Sequence, residues 1–240
     1  MMIPDWPAPA NVRCASTTRD GGVSQSPYDS FNLAEHVGDV ADAVAQNRAR
    51  LKRQLKLPSE PLWLEQVHGR QVVTAGVAGL LPAADASVAR QPGQVCVVMT
   101  ADCLPVLFCD RAGTVVAAAH AGWRGLAAGV LEATMAAMAV NPGQVLAWLG
   151  PAIGAQAFEV GDEVRAVFTQ AHGHAADAFA ARPNGRWLAD IHALARMRLQ
   201  AAGVGAVYGG GWCTFSEPQR FYSFRREPVT GRMASLVWLV

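Results

Sequence analysis

The chain reads as a single α+β domain, a mixed central β-sheet flanked by helices. Three observations predict this. Short runs rich in β-branched residues cluster between residues 62 and 120. Helical periodicity is confined to isolated stretches before and after that cluster. Strands and helices therefore fail to alternate one for one, which argues against a doubly wound parallel sheet. At 240 residues the chain can bury a substantial core, and one domain over 1–240 is expected.

Taken in order, the proline-rich start (1–10) is expected to be a loosely held arm. Residues 11–17 (NVRCAST) read as a strand that stops at TTRDGG, where Gly21 and Gly22 favour a turn. Asp39 is placed to cap a helix with Val40, Val44, Leu51 and Leu55 on one face. Arg48, Arg50, Lys52, Arg53 and Lys56 occupy the rest of its surface. Five strands are predicted next: LWLEQV (62–67), QVVTA (71–75), VCVVMT (95–100), PVLFC (105–109) and TVVAAAH (114–120). An alanine-rich helix over about 124–139 is stopped by Asn141-Pro142, and VLAWLG (145–150) reads as a strand. Helices near 161–170 and 188–201, glycine-rich turns over 203–211, and strands around 220–225 and 233–240 complete the reading.

Composition narrows the function. The chain is 51% hydrophobic and 16% charged, with a formal net charge of +1. That balance offers no electrostatic footprint for nucleic acid or an anionic membrane surface. The most apolar long region, 113–140, is interrupted by His120, Arg124 and Glu132, so no membrane span is predicted. The start, MMIPDWPAPA, lacks the basic region and apolar stretch of a secretory signal. Cys14, Cys96, Cys103, Cys109 and Cys213 show no Cys-x-x-Cys spacing, and an odd number of thiols points to the reducing cytoplasm.

Three distant segments carry the chemistry: QVHG with His68, TADC with Cys103, and HAGWRG with His120. Each donor stands at the end of a predicted strand, where loops gather and sites are built. Two imidazoles and a thiolate suit a zinc ion with one position left open, with copper as the alternative ion. The same residues allow a second chemistry, in which Cys103 is a nucleophile and His68 or His120 its base. A purely structural zinc would require a fourth ligand, for which Cys109 is the candidate. His172 and His174 form a rival pair within an Ala/Gly-rich stretch that reads as a loop.

Around these donors, Arg19, Arg124 and Arg225 are candidates for holding phosphate or carboxylate, since a guanidinium matches such anions. Asp102, flanking Cys103, is the candidate proton donor, or else a group that supports the centre from behind its ligands. Phe31, Trp123, Phe158 and Phe224 could offer stacking surfaces.

Several of these segments together resemble one family. WLEQVHG, TADCLPVLFCD, HAGWRG, LGPAIG with FEVGDEV, and SFRRE with TGRMASL are similar to YfiH-type proteins. TTRDGGVS, FNLAEHVGD and NRARL match as well, so the resemblance runs from about residue 12 to 240. The family is also called the polyphenol-oxidase or laccase-domain family, and its members are now regarded as purine nucleoside phosphorylases. The resemblance implies one α+β domain, and zinc ligands at His68, Cys103 and His120. It implies phosphorolysis of adenosine, inosine and 5′-methylthioadenosine, and hydrolytic deamination of adenosine. Copper-dependent phenol oxidation and removal of a wrong amino acid from a cell-wall precursor are alternative activities attached to the family. Phe158 stands where a tyrosine is common and Glu227 where an aspartate is common.

Overall fold

The computed structural model describes residues 1–76, 81–171 and 173–240. Its first half contains β1 (Val12–Ser16), α1 (Ala41–Leu55), β2 (Val72–Thr74), β3 (Ala86–Ala89), β4 (Val95–Thr100), β5 (Leu104–Asp110) and β6 (Val116–Ala121). Then follow α2 (Trp123–Ala128), α3 (Val130–Met138), β7 (Val145–Leu149), β8 (Glu159–Val160) and α4 (Asp162–Ala171). β9 (Phe179–Ala181), β10 (Trp187–Ala189), α5 (Ile191–Ala201), β11 (Ala206–Gly209) and β12 (Met233–Leu239) complete it.

Two stacked sheets form the centre. One is antiparallel, ordered β1-β12-β4. The other is mixed, ordered β11-β7-β5-β6-β3-β2, with parallel pairs at both edges and antiparallel pairs between. A small β8-β10-β9 sheet lies beside the helices.

Strand alternation explains the stacking. Side chains two apart share a face. In β4, Cys96 and Val98 join Leu107 and Cys109 of β5, Val116 and Ala118 of β6, and Val237 of β12 between the sheets. Val95, Val97 and Met99 face the other way, onto Leu51 of α1. Leu104, Val106 and Phe108 of β5 face outward onto Leu126, Leu131 and Leu199 of α2, α3 and α5. The result is helix, sheet, sheet, helix: a single α+β domain with a mixed sheet, built on two sheets where one was expected.

Several expectations are corrected. Residues 1–10 are pinned, not loose: Met2 exchanges two backbone hydrogen bonds with Ser16, and the Trp6 indole donates to Cys14 Sγ. Asp39 does not cap α1, where Val40 holds the cap position. Its Oδ2 accepts from the tertiary donors Ser24 Oγ at 2.6 Å and Asn32 Nδ2 at 2.9 Å, and its Oδ1 takes the adjacent Val40 N–H at 2.7 Å, one residue ahead of the helix. LWLEQV forms only single bridges at Leu62 and Glu65, and 220–225 is irregular with turns at its two ends, not strand. The predicted helix over 124–139 is split by Gly129, whose φ of 95° breaks the helical path. β3, rich in alanine and serine, carries no strand signature and was not expected. β10 occupies the start of the region read as helix 188–201, and β11 lies within the predicted turns.

Candidate metal centre

The antiparallel register of β5 and β6 pairs Leu104 with Ala121 and Pro105 with His120. Cys103, one residue before β5, is thereby set beside His120, the penultimate residue of β6. His120 continues the row of Val116 and Ala118, so it faces the layer between the sheets. There the smaller sheet stops: β4 ends at Thr100 and β12 begins at Met233. The inter-sheet layer opens into a cleft of about 370 Å³, and Met99, Thr100, Ala101 and Arg232 form part of its wall.

His68 arrives by a different route. It is not at a strand end but in a loop, at φ 60°. Two anchors hold that loop. The Gln66 side chain pairs with the Met99 backbone at the end of β4, donating and accepting at 2.7 Å. Asp85, just before β3, accepts from the backbone N–H groups of Val67 (3.3 Å), His68 (2.9 Å) and Gly69 (2.6 Å). It also bonds His120 Nδ1 at 2.8 Å.

The three donors converge. One ligand atom from each of His68, Cys103 and His120 lies within 4.8 Å of the others. Cys103 Sγ is 3.8 Å from His68 Nε2, and the imidazole centroids are 4.8 Å apart at 78°. His120 is buried, Cys103 half-buried and His68 exposed, so the group is open on the His68 side. This is the only group of three or more His, Cys, Asp or Glu ligands among the described residues. Cys109, the candidate fourth ligand, is buried in the inter-sheet core and does not join it. His172 lies outside the described residues, and His174 is exposed and apart from the trio.

The two glycines of HAGWRG make the convergence possible. A Cβ on Gly122 would stand 2.8 Å from His68 Cδ2 and 3.0 Å from Cys103 Sγ. A Cβ on Gly125 would meet the Gly69 carbonyl at 2.8 Å, so the missing side chain lets α2 close onto the His68 loop. Gly122 makes room for the ligands and Gly125 for their support.

The electrostatics favour a thiolate. Burial pushes the Cys103 thiol up, but the charges and hydrogen bonds of His120 and His68 outweigh it and bring it down to about 6. Burial pushes His120 down, and Cys103 and Asp85 outweigh that, raising it to about 9. For Asp85, burial pushes upward, yet the His120 bond and the Gly69 and His68 N–H groups hold its carboxyl below the usual range. A thiolate is the form that binds metal or attacks carbon.

The other candidates divide. Arg124 and Arg225 line the cleft. Arg124 is exposed, stacks on Trp123 at 4.5 Å, and has no hydrogen-bond or ion-pair partner among the described residues. Arg225 donates to the Glu159 carbonyl at 3.0 Å. Arg19 does not reach the cleft. Its nitrogens bond the Asp29 carbonyl, the Asp29 carboxylate and the Pro218 carbonyl, and it lies over Tyr222. Asp102 lines the cleft, but both of its oxygens are engaged. They accept from Thr214 Oγ1 (2.6 Å), Ser223 Oγ (3.0 Å) and the Arg225 N–H (2.7 Å). The geometry suits a residue that ties the Arg225 segment to the centre. Trp123, Phe158 and Phe224 line the cleft, whereas Phe31 is buried against α1.

Local sequence marked neither Asp85 nor three residues that line the cleft, His36, Gln66 and Arg232. Gln66 belongs to the QVHG segment, a signal that could have found it. Arg232 is the arginine of the TGRMASL segment, but nothing local marks it as lining the cleft.

Residues 13–240 match the family described as multi-copper polyphenol oxidoreductase laccase, and the chain belongs to that family. Its relatives are more specific. A Pseudomonas aeruginosa protein named purine nucleoside phosphorylase PA4543 is 60% identical over 239 residues, covering 99% of this chain and 98% of that one. Purine nucleoside phosphorylase YfiH of Escherichia coli is 55% identical over 241 residues, covering 100% of this chain and 99% of its own. The crystal structure of Neisseria meningitidis protein NMB0706 superposes with a TM-score of 0.96 at 56% identity, covering 99% and 98% of the two chains. No helix among the described residues is long and apolar enough to cross a membrane.

Proposed function

We propose that this chain is a zinc-dependent purine nucleoside phosphorylase. Its substrates would be adenosine, inosine or 5′-methylthioadenosine with phosphate, its products the free base and a sugar 1-phosphate. One observation carries the reading: an open trio of two imidazoles and a thiolate sits in a cleft that Arg124, Arg225 and Arg232 also line. The names of relatives at 60% and 55% identity support the same substrate class.

The donor set fits zinc, with three protein ligands and room for a fourth partner. A zinc ion held by His68, Cys103 and His120 would supply Lewis acidity at that vacant position. The remaining work falls to the chain. Arg124, Arg225 and Arg232 bind phosphate and hold it against C1′ of the ribose. Phosphate oxygen forms the bond to C1′ as the bond to the base nitrogen breaks, and the base leaves with the proton that hydrogen phosphate gives up. Trp123, Phe158 and Phe224 offer faces for the purine. Asp102 positions Arg225 through its backbone N–H. Adenosine deamination is proposed as a second activity of the same centre. The cytoplasm is the proposed location, in keeping with five unpaired cysteines.

Copper outranks zinc in general affinity for nitrogen and sulfur donors, so copper in purified protein would not establish an oxidase. Laccase chemistry needs several coppers, and six histidines are too few to hold them. A second reading rests on the lowered Cys103 thiol beside two imidazoles: a cysteine amidohydrolase acting on a peptidoglycan precursor.

Incubating the protein with adenosine, with and without phosphate, separates these. Adenine plus ribose 1-phosphate appearing only with phosphate is the expected result, and inosine reports deamination. Cys103→Ala should lose both zinc retention and inosine phosphorolysis. Full phosphorolysis by that variant would end the zinc reading. Absence of either purine product, with cleavage of an amide-linked muropeptide, would favour the amidohydrolase.

A further inference from the structure

We infer that Asp85 is the positioning residue of the centre, one carboxylate that sets both the path of the His68 loop and the ring nitrogen that His120 presents. It is fully buried, at 0% exposure. One oxygen takes the His68 N–H and His120 Nδ1, and the other takes the N–H groups of Val67 and Gly69. An ionised carboxylate only accepts. His120 Nδ1 therefore carries a proton, and Nε2 is the nitrogen left to give its lone pair to a metal. The same oxygens gather three successive N–H groups around His68, which stands at φ 60°, a conformation that residues with a Cβ adopt at a cost. Collecting those three donors offsets that cost.

All four partners of Asp85 are donors, which makes asparagine a poor substitute despite its shape. With its oxygen toward His120, its NH2 confronts the N–H groups of Val67 and Gly69, and the His68 loop must shift. With its NH2 toward His120, it confronts the His68 N–H and forces the ring into the Nε2–H tautomer, which cannot ligate through that nitrogen. Either way one ligand is lost to the centre. The inference rests on the metal reading of the trio and not on the nucleoside chemistry.

Its test is Zn2+ affinity, measured by competition with a chromophoric chelator, in wild type, Asp85→Asn and Asp110→Asn. Asp110 is a second buried aspartate, far from the trio, and serves as the control for a merely structural loss. Asp85→Asn is expected to weaken zinc by about 10–100-fold, the range for residues that orient metal ligands, and Asp110→Asn to leave it unchanged. Should Asp85→Asn fail to fold, the ring nitrogens of zinc-loaded wild type decide the matter by 15N NMR. The expected spectrum has His120 protonated at Nδ1 and bare of hydrogen at Nε2. Wild-type affinity in a folded Asp85→Asn, or metal on Nδ1 of His120, overturns the inference. A wild type that binds no zinc overturns it together with the metal reading. Zinc binding that follows this pattern without any phosphorolysis leaves it standing and removes only the proposed substrate.

Discussion

The two ends of the β5–β6 hairpin each hold a buried aspartate, and the two are used differently. At the turn, the Asp110 carboxylate accepts from Thr114 N–H (2.7 Å), Thr114 Oγ1 (2.7 Å) and Val115 N–H (3.0 Å). Every partner lies within five residues, and the arrangement closes on itself. At the other end, Asp85 gathers partners from residues 67–69 and from His120, which is 35 positions away. These partners include two ring-bearing ligands whose remaining lone pairs face a cleft. A satisfied local network makes a turn. The same chemistry spread over distant segments leaves binding capacity unspent at the surface.

The largest effect that would break this contrast is expected from Gly122→Ala. The new methyl collides with His68 and Cys103 at the ligand end, so zinc affinity should fall by at least about 100-fold, the upper end of the effect of disturbing ligand orientation. Overpacking should cost only about 1–3 kcal/mol of stability, read by urea denaturation. Unchanged zinc affinity would mean the ligands do not converge as described. Next is Arg124→Gln, which removes a cleft cation that has no hydrogen-bond or ion-pair partner among the described residues. The phosphate KM should rise about 10-fold or more, as for a lost hydrogen bond to a charged group, with zinc content intact. An unchanged KM would place phosphate elsewhere.

Asp110→Asn sharpens the contrast from the turn end. It should lower unfolding free energy by about 1–3 kcal/mol through unsatisfied donors, with phosphorolysis preserved. The smallest effect is its pH dependence. Burial pushes the Asp110 carboxyl up, but the Thr114 hydroxyl and the Val115 and Thr114 N–H groups outweigh it and hold it below the usual range. A folded value below the unfolded one, near ~3.9, gives stability present above the unfolded value and lost as pH falls through the folded one. The stability difference between wild type and Asp110→Asn should thus shrink in acid below about pH 4. A constant difference down to pH 2 would deny the carboxylate that role.

Much of this was legible residue by residue. VCVVMT has the pattern of a strand and is β4, because β-branched and apolar residues buried on both faces leave a continuous run. The ligands stood out because His68, Cys103 and His120 sit in glycine-bearing or polar breaks beside apolar runs. β3 escaped notice because its burial comes from neighbouring strands, not from its own side chains, which read ASVA. Arg19 looked like Arg124 in sequence, since both stand near glycine. Only packing assigned one to Asp29 and Pro218 and the other to the cleft.

What local order in the chain determines is the strand and helix periodicity, the glycine breaks and the types of donor available. Those depend on interactions within a few residues. The tertiary structure alone decided that two sheets stack, that their shared layer runs out beside Thr100 and Met233, and that Asp85 reaches both histidines. Such pairings join segments dozens of positions apart, and a buried carboxylate reveals its partners only when every surrounding donor has been brought to it.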